Sequence, residues 1–156
     1  MFTASSSGRD QKNGGKLMAT ESQTDVVDRE GDSAFMRLLG VRFEEMGPER
    51  VVASFETGPD HHQPWGLVHG GVFTAVIETV ATTGAYLAVK DRGQLAVGVN
   101  NTTDFMRPHQ EGRLRVVAEP LQQGKIQQLW QVVITREDGK TVARGQVRLQ
   151  NIEADT

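Results

Sequence analysis

Residues 70–89 read GGVFTAVIETVATTGAYLAV, the longest weakly polar run in the chain. Its length approaches that of a membrane span, but it carries Glu78, four threonines and three glycines. Hydrocarbon would penalise that carboxylate, so the run predicts a helix buried inside a soluble protein. It is apolar on most faces, as expected of a helix enclosed by a sheet rather than laid on a surface.

The flanking sequence supplies the sheet. Upstream, Val41 to Met46 reads as a strand, Gly47-Pro48 as a turn, and Val51, Ala53 and Phe55 as the alternating positions of a second strand. Before them Ser33 is suited to cap a short helix with Phe35, Met36, Leu38 and Leu39 at helical spacing, ended by Gly40. Downstream of Gly93 the period changes to two. Leu95, Val97, Val99, Asn101, Thr103 and Phe105 share one face of a long strand. Leu114, Val116 and Ala118 follow in the next, then Leu129, Gln131, Val133 and Thr135, then Ala143, Gly145, Val147 and Leu149. Asp138-Gly139 marks a hairpin, and Gln123-Gly124 a weaker one. Short turns imply antiparallel pairing of successive strands, whose apolar faces must cover the single helix. The class is α+β. Residues 1–32, poor in large apolar side chains, are expected to form a flexible tail, and residues 33–152 one domain.

Composition narrows the function. With 17 Lys and Arg against 20 Asp and Glu, the net charge of -3 offers no basic field or stripe for nucleic acid. The absence of cysteine removes disulfides, thiolate nucleophiles and cysteine-bound zinc, and suits a reducing compartment. No apolar core of a secretory signal stands near the start, and a cytoplasmic protein is expected. No carboxylate lies at ligand spacing from His61, His62 or His69, so neither a metal nor another cofactor is expected. His109 reads as a solvated turn residue.

Glu78 is the only residue in 70–89 normally charged near neutrality. Desolvating a carboxylate there is costly unless something compensates it. It is either a structural glutamate bonded to backbone or threonines, or a functional carboxylate facing a substrate channel. Thr82, four residues on, shares its helix face and is placed to orient the carboxylate or a water. At the helix entrance, His69-Gly70-Gly71 lets the backbone approach a ligand, and the first-turn N–H groups suit a developing oxyanion. Gln63, Trp65 and Gly66 stand just upstream as a wall and an amide donor. Gly70 and Glu78 lie eight residues apart, roughly 12 Å along a helix. A base and an oxyanion donor must both reach the reacting centre within ~3 Å, so two antiparallel helices from two chains are needed. A homodimer with two shared sites is predicted.

The combination of Gln63, His69-Gly70-Gly71, Glu78 and Thr82 resembles the PaaI-like hotdog thioesterases, and within them the 4-hydroxybenzoyl-CoA thioesterase type with a catalytic glutamate. The resemblance runs from about Ser33 to Asn151. It implies the hotdog fold, an antiparallel sheet wrapped around one long central helix, and hydrolysis of an aromatic or medium-sized acyl-CoA. Glu78 would be nucleophile or general base and Gly70 N–H the oxyanion donor. Gln63 and His69 would orient the thioester, and Thr82 would position water. Trp65, Gly71 and Phe105 would contact substrate, while Arg107 and Lys125 would meet coenzyme A phosphates. Relatives with a histidine where Phe105 stands have a group this chain lacks. The family implies a homotetramer built as a dimer of dimers. A hotdog hydratase and a non-catalytic acyl-CoA-binding module are the competing functions: no histidine follows Glu78 along the central helix as a hydratase would want, and an isolated acid argues against mere binding. Trp65, Phe73, Val76, Ile77 and Phe105 are the expected lining of the acyl pocket.

Overall fold

The computed structural model describes residues 33–154, so the expected tail over residues 1–32 lies outside the described residues. Ser33 opens helix α1 (Ala34–Leu39), its hydroxyl oxygen accepting from the Met36 N–H at 3.0 Å. Gly40 closes it in the left-handed region, φ 62°, and returns its own N–H to the Met36 carbonyl. Leu39 enters the core, while Phe35 and Leu38 stay exposed.

Strands β1 (Arg42–Met46) and β2 (Val51–Thr57) precede helix α2 (Gly70–Leu87). Strands β3 (Gln94–Phe105), β4 (Gly112–Gln123), β5 (Gln127–Arg136) and β6 (Thr141–Glu153) follow. All pairs are antiparallel, in the order β1-β2-β4-β5-β6-β3, and α2 packs against β2 through β6. This is the hotdog fold. Among the described residues, no helix is long and apolar enough to cross a membrane.

Three expectations are corrected. First, successive strands do not all pair. β3 leaves β4 and runs beside β6 along its whole length, from Gln94 opposite Glu153 to Phe105 opposite Ala143. Residues 106–111 therefore cross three strand positions, roughly 14 Å at the usual spacing. Six extended residues reach ~20 Å, so the link suffices without a helix. The consequence is that β3 becomes a twelve-residue sheet edge.

Second, β3 does not keep one face. A bulge between Gly98 and Asn100 adds a residue, so Leu95 and Val97 point to the outer face while Asn101, Thr103 and Phe105 turn toward the helix. In β5 the phase is likewise opposite to the one read. Gln128, Trp130, Val132 and Ile134 are the buried set, and Leu129, Gln131 and Val133 turn outward. Both faces of β5 carry β-formers, so alternation alone does not choose between them. Arginines stand on the outer face of the sheet: Arg113 pairs with Glu44 at 2.9 Å and Arg144 donates to Gln131.

Third, α2 is wrapped on one side only. Phe73, Val76, Ile77, Val80, Ala81, Gly84 and Ala85 are buried against the sheet. Gly71 and Glu78, on the opposite face, are exposed, with Thr74, Ala75, Thr79 and Thr82 half-buried. The lone acid is therefore not sunk in its own core. It stands on a helix face that its own chain leaves uncovered.

Candidate active site

The approach to α2 is a loop fastened by histidines. His61 Nδ1 accepts from the Gly58 N–H, so its Nε2 carries the proton and donates to the Leu38 carbonyl at 2.7 Å. His62 Nε2 meets the Gln110 carbonyl, and the His69 N–H donates to the His61 carbonyl. These contacts tie the loop to the end of α1 and to the link between β3 and β4. Gln63 sits in a tight turn, its N–H donating to the Leu67 carbonyl at 2.8 Å, while Trp65 at the tip is 80% exposed.

His69 caps α2: its Nδ1 accepts from the Gly71 N–H at 2.9 Å. The Gly70 N–H, on the first turn, has no intrahelical acceptor. Gly70 faces a cavity of about 250 Å³ shared with Gln63, Phe105, Arg107 and His109. A β-carbon at Gly70 would stand 2.8 Å from the Phe105 ring, so only glycine lets that ring close on the helix tip. Phe105 in turn tilts against Phe73, with centroids 6.3 Å apart. Arg107 donates from Nη1 to the Thr141 carbonyl, which fixes the guanidinium at the cavity rim.

Glu78 opens on a different space. A groove of about 590 Å³ runs along the uncovered face of α2, walled by Phe35 and Met36 of α1 and floored by Gly71, Ala75, Glu78 and Thr82. Neither cavity contains both Gly70 and Glu78. On one chain the Gly70 N–H and the Glu78 carboxylate thus face separate spaces, as the ~12 Å helix rise requires.

The structure brings Gln63, Gly70, Phe105 and Arg107 together, and Gly71, Glu78 and Thr82 together, with His69 at the cap above. Trp65 lines neither space. Lys125 belongs to the β4–β5 hairpin, where its carbonyl accepts from Asn151. Phe73, Val76 and Ile77, expected to line the acyl pocket, face the sheet instead; only Phe73 also borders the smaller cavity. His109 is not a solvated turn residue. Its Nε2 is buried without a partner among the described residues, and burial, aided by the charge of Arg136, pushes its pKa below the ordinary histidine value. Phe35, Met36 and Asn101, read from sequence only as parts of a helix and a strand, join the expected site residues. Asn101 donates from Nδ2 to Glu78 Oε2 at 3.3 Å, from a position that the β3 bulge keeps on the helix side. Among the described residues, no three His, Cys, Asp or Glu side chains converge as a metal site.

The family profile of the thioesterase superfamily matches residues 66–143. The Mycobacterium tuberculosis protein Rv1847, whose name carries only the broad word esterase, is 47% identical over 118 residues, covering 74% of this chain and 84% of that protein. The chain belongs to the thioesterase superfamily. The solved structure of Rv1847 superposes with a TM-score of 0.76 over 80% of this chain and 100% of that one. The proofreading thioesterase EntH of Cronobacter turicensis is 34% identical over 102 residues, 65% of this chain and 74% of its own length. The Haemophilus influenzae thioesterase HI1161 superposes with a TM-score of 0.77 at 26% identity, over 86% and 93% of the two chains. The region shared with the thioesterase superfamily includes His69, Gly70, Glu78, Thr82, Phe105 and Arg107, while Gln63 and Trp65 fall just before it.

Proposed function

We propose that this chain hydrolyses an acyl-CoA thioester with an aromatic or medium-sized acyl group, in the manner of the PaaI-like, 4-hydroxybenzoyl-CoA thioesterase type. The observation that carries the reading is Glu78, a carboxylate in a groove walled by Phe35 and Met36, on the helix whose first-turn glycine N–H is free of intrahelical bonds. The groove falls within the usual size of small-molecule sites. The Gly70 N–H and the positive end of α2 stabilise charge on the thioester oxygen. Glu78 then attacks the carbonyl carbon, giving an anhydride that water opens, or takes a proton from a water that attacks in its place. Either way the C–S bond breaks, coenzyme A leaves as a thiolate, and one water is consumed. Gln63 and His69 orient the thioester, Thr82 positions the water, and Trp65, Gly71 and Phe105 contact substrate. Arg107 and Lys125 supply charge to the coenzyme A phosphates. The reducing cytoplasm is the compartment we assign to this reaction.

The site needs two chains. Glu78 of one protomer meets Gly70 of its partner when two α2 helices run antiparallel with their uncovered faces together. The edge of β3 supports this arrangement. It leaves Leu95, Val97 and, at the bulge, Val99 (53% exposed) along an unprotected strand, which soluble proteins cover or charge. A second copy paired β3 to β3 about a two-fold axis covers both edges at once. A dimer of such dimers is the assembly proposed for the family type. Replacing Leu95 and Val97 together by Lys is expected to lower the mass found by light scattering to that of one chain and to remove activity with it. An active monomer would end the shared-site proposal.

Phe35, 57% exposed at the groove rim, is proposed as the gauge of acyl size. Phe35→Ala should raise kcat/KM for bulkier acyl-CoAs relative to short ones by about 10-fold, the scale of a few buried methylenes. An unchanged preference would remove α1 from the acyl site.

The whole reading is tested by thiol release from a panel of acyl-CoAs. Cleavage by the wild type and its loss in Glu78→Gln support hydrolysis. Tight binding without cleavage of any member would assign the binding-module function instead.

A further inference from the structure

We infer that β3 carries a cradle, Gly98, Asn101 and Thr103, which fixes the Glu78 carboxylate in its working position. The inference rests on Glu78 being the acting carboxylate. Asn101 has two acceptors in front of its amide nitrogen: the Thr74 carbonyl at 3.1 Å and Glu78 Oε2 at 3.3 Å. A carbonyl and a carboxylate only accept, so the NH₂ group must face them, one N–H to each. The Asn101 oxygen is then turned away, and Thr103 Oγ1 donates to it at 2.8 Å. The amide therefore has one orientation, anchored at one end to the helix backbone and at the other to its own strand.

The other carboxylate oxygen is placed by room rather than by a bond. A β-carbon on Gly98 would stand 2.9 Å from Glu78 Oε1 and 3.5 Å from its carboxyl carbon. Gly98 is not among the positive-φ glycines, so its backbone accepts any residue. Its smallness serves the space that Glu78 occupies, not the turn of the chain. Gly98 lies on the helix side by alternation with the outward Leu95 and Val97, and the bulge after it brings Asn101 to the same side. Without the extra residue Asn101 would face solvent. The bulge thus aims one oxygen's donor beside the space that Gly98 leaves for the other, from two positions three apart. These are positioning residues: they act through Glu78.

The test is steady-state thiol release with an acyl-CoA that the wild type cleaves, together with thermal unfolding. Gly98→Ala pushes only against the mobile end of the Glu78 side chain, so it should leave the unfolding temperature nearly unchanged. It should lower kcat by about 100-fold, the scale of an ångström's misplacement, with KM little altered. Asn101→Ala should act in the same direction, and Thr103→Val, nearly isosteric, more weakly. In a Glu78→Gln background, Gly98→Ala and Asn101→Ala should cost nothing further, because the group they position is gone. Wild-type kcat in Gly98→Ala and Asn101→Ala, beside a dead Glu78→Gln, would overturn the cradle and leave the carboxylate's role standing. Losses that persist at full size in the Glu78→Gln background would likewise overturn it. A fully active Glu78→Gln would instead fail the reading on which the cradle rests.

Discussion

Glu78→Gln is expected to lower kcat by about 10²–10⁴-fold, the range of a positioned acid–base group, with KM little changed. Glutamine keeps the length of the side chain and keeps an acceptor oxygen for the Asn101 amide, so the contact seen at 3.3 Å has a substitute. The position is exposed on the chain's own surface, where substitutions usually stay within about 0.5 kcal/mol of the wild type in stability. What is lost is a negative oxygen able to attack carbon or accept a proton. Glu78→Asp keeps the charge but draws it back by a methylene, and should fall between the two. A Glu78→Gln protein that cleaves every substrate at the wild-type rate would move the chemistry elsewhere. One that no longer unfolds cooperatively would instead make Glu78 a structural residue.

The same residue shows how far sequence reaches here. A lone acid in a run of twenty weakly polar residues stands out whatever the fold, and the HGG before it marks a helix entrance. The succession of strands along the chain follows from alternation and from Asp138-Gly139, which turns with Gly139 at φ 79°. What alternation hides is phase. One bulge residue in β3 reverses which side chains face the helix, and nothing in VGVNNTT announces it. Alternation sets Asn101 on the helix side together with Leu95 and Val97, which in fact point outward, and sets Gly98 on the far side, so the pair that flanks the carboxylate is not legible from the sequence. β5 hides its phase differently, because Gln128 is buried where polarity places it outside. Pairing is also non-local: β3 chooses β6 over its neighbour in sequence, and that choice alone creates the open edge. The helix faces are hidden for a third reason. Threonine and alanine suit either a core or an interface, so the composition of α2 did not tell the sheet side from the groove side.

Trp130→Ala is expected to be the most destabilising single change in the core, by about 3–5 kcal/mol. The indole is fully buried against α2, and its Nε1–H donates to Gln128 Oε1 at 3.0 Å. Gln128 Nε2 in turn donates to the Ala85 carbonyl and to Asn151 Oδ1. Removing the ring therefore opens a cavity and leaves a buried amide oxygen without its donor. The helix has been shaped to this ring. A β-carbon at Gly84 would overlap Trp130 Cη2 and fall 2.6 Å from Cζ3, far inside contact distance. Gly84→Ala should therefore destabilise by about 1–3 kcal/mol through overpacking, despite the better helix propensity of alanine. The two closest atoms belong to the six-membered part of the indole, which a phenyl ring does not reach, while Val51 Cγ2 at 3.0 Å stays in either background. In a Trp130→Phe background, Gly84→Ala should cost much less than it does alone, a coupling that a double-mutant cycle measures directly. Urea unfolding at one fixed protomer concentration is the measurement, since association would otherwise add its own mass-action term. A Trp130→Ala midpoint within about 1 kcal/mol of wild type, or strictly additive costs in the cycle, would mean that α2 does not depend on this ring for its seat on the sheet.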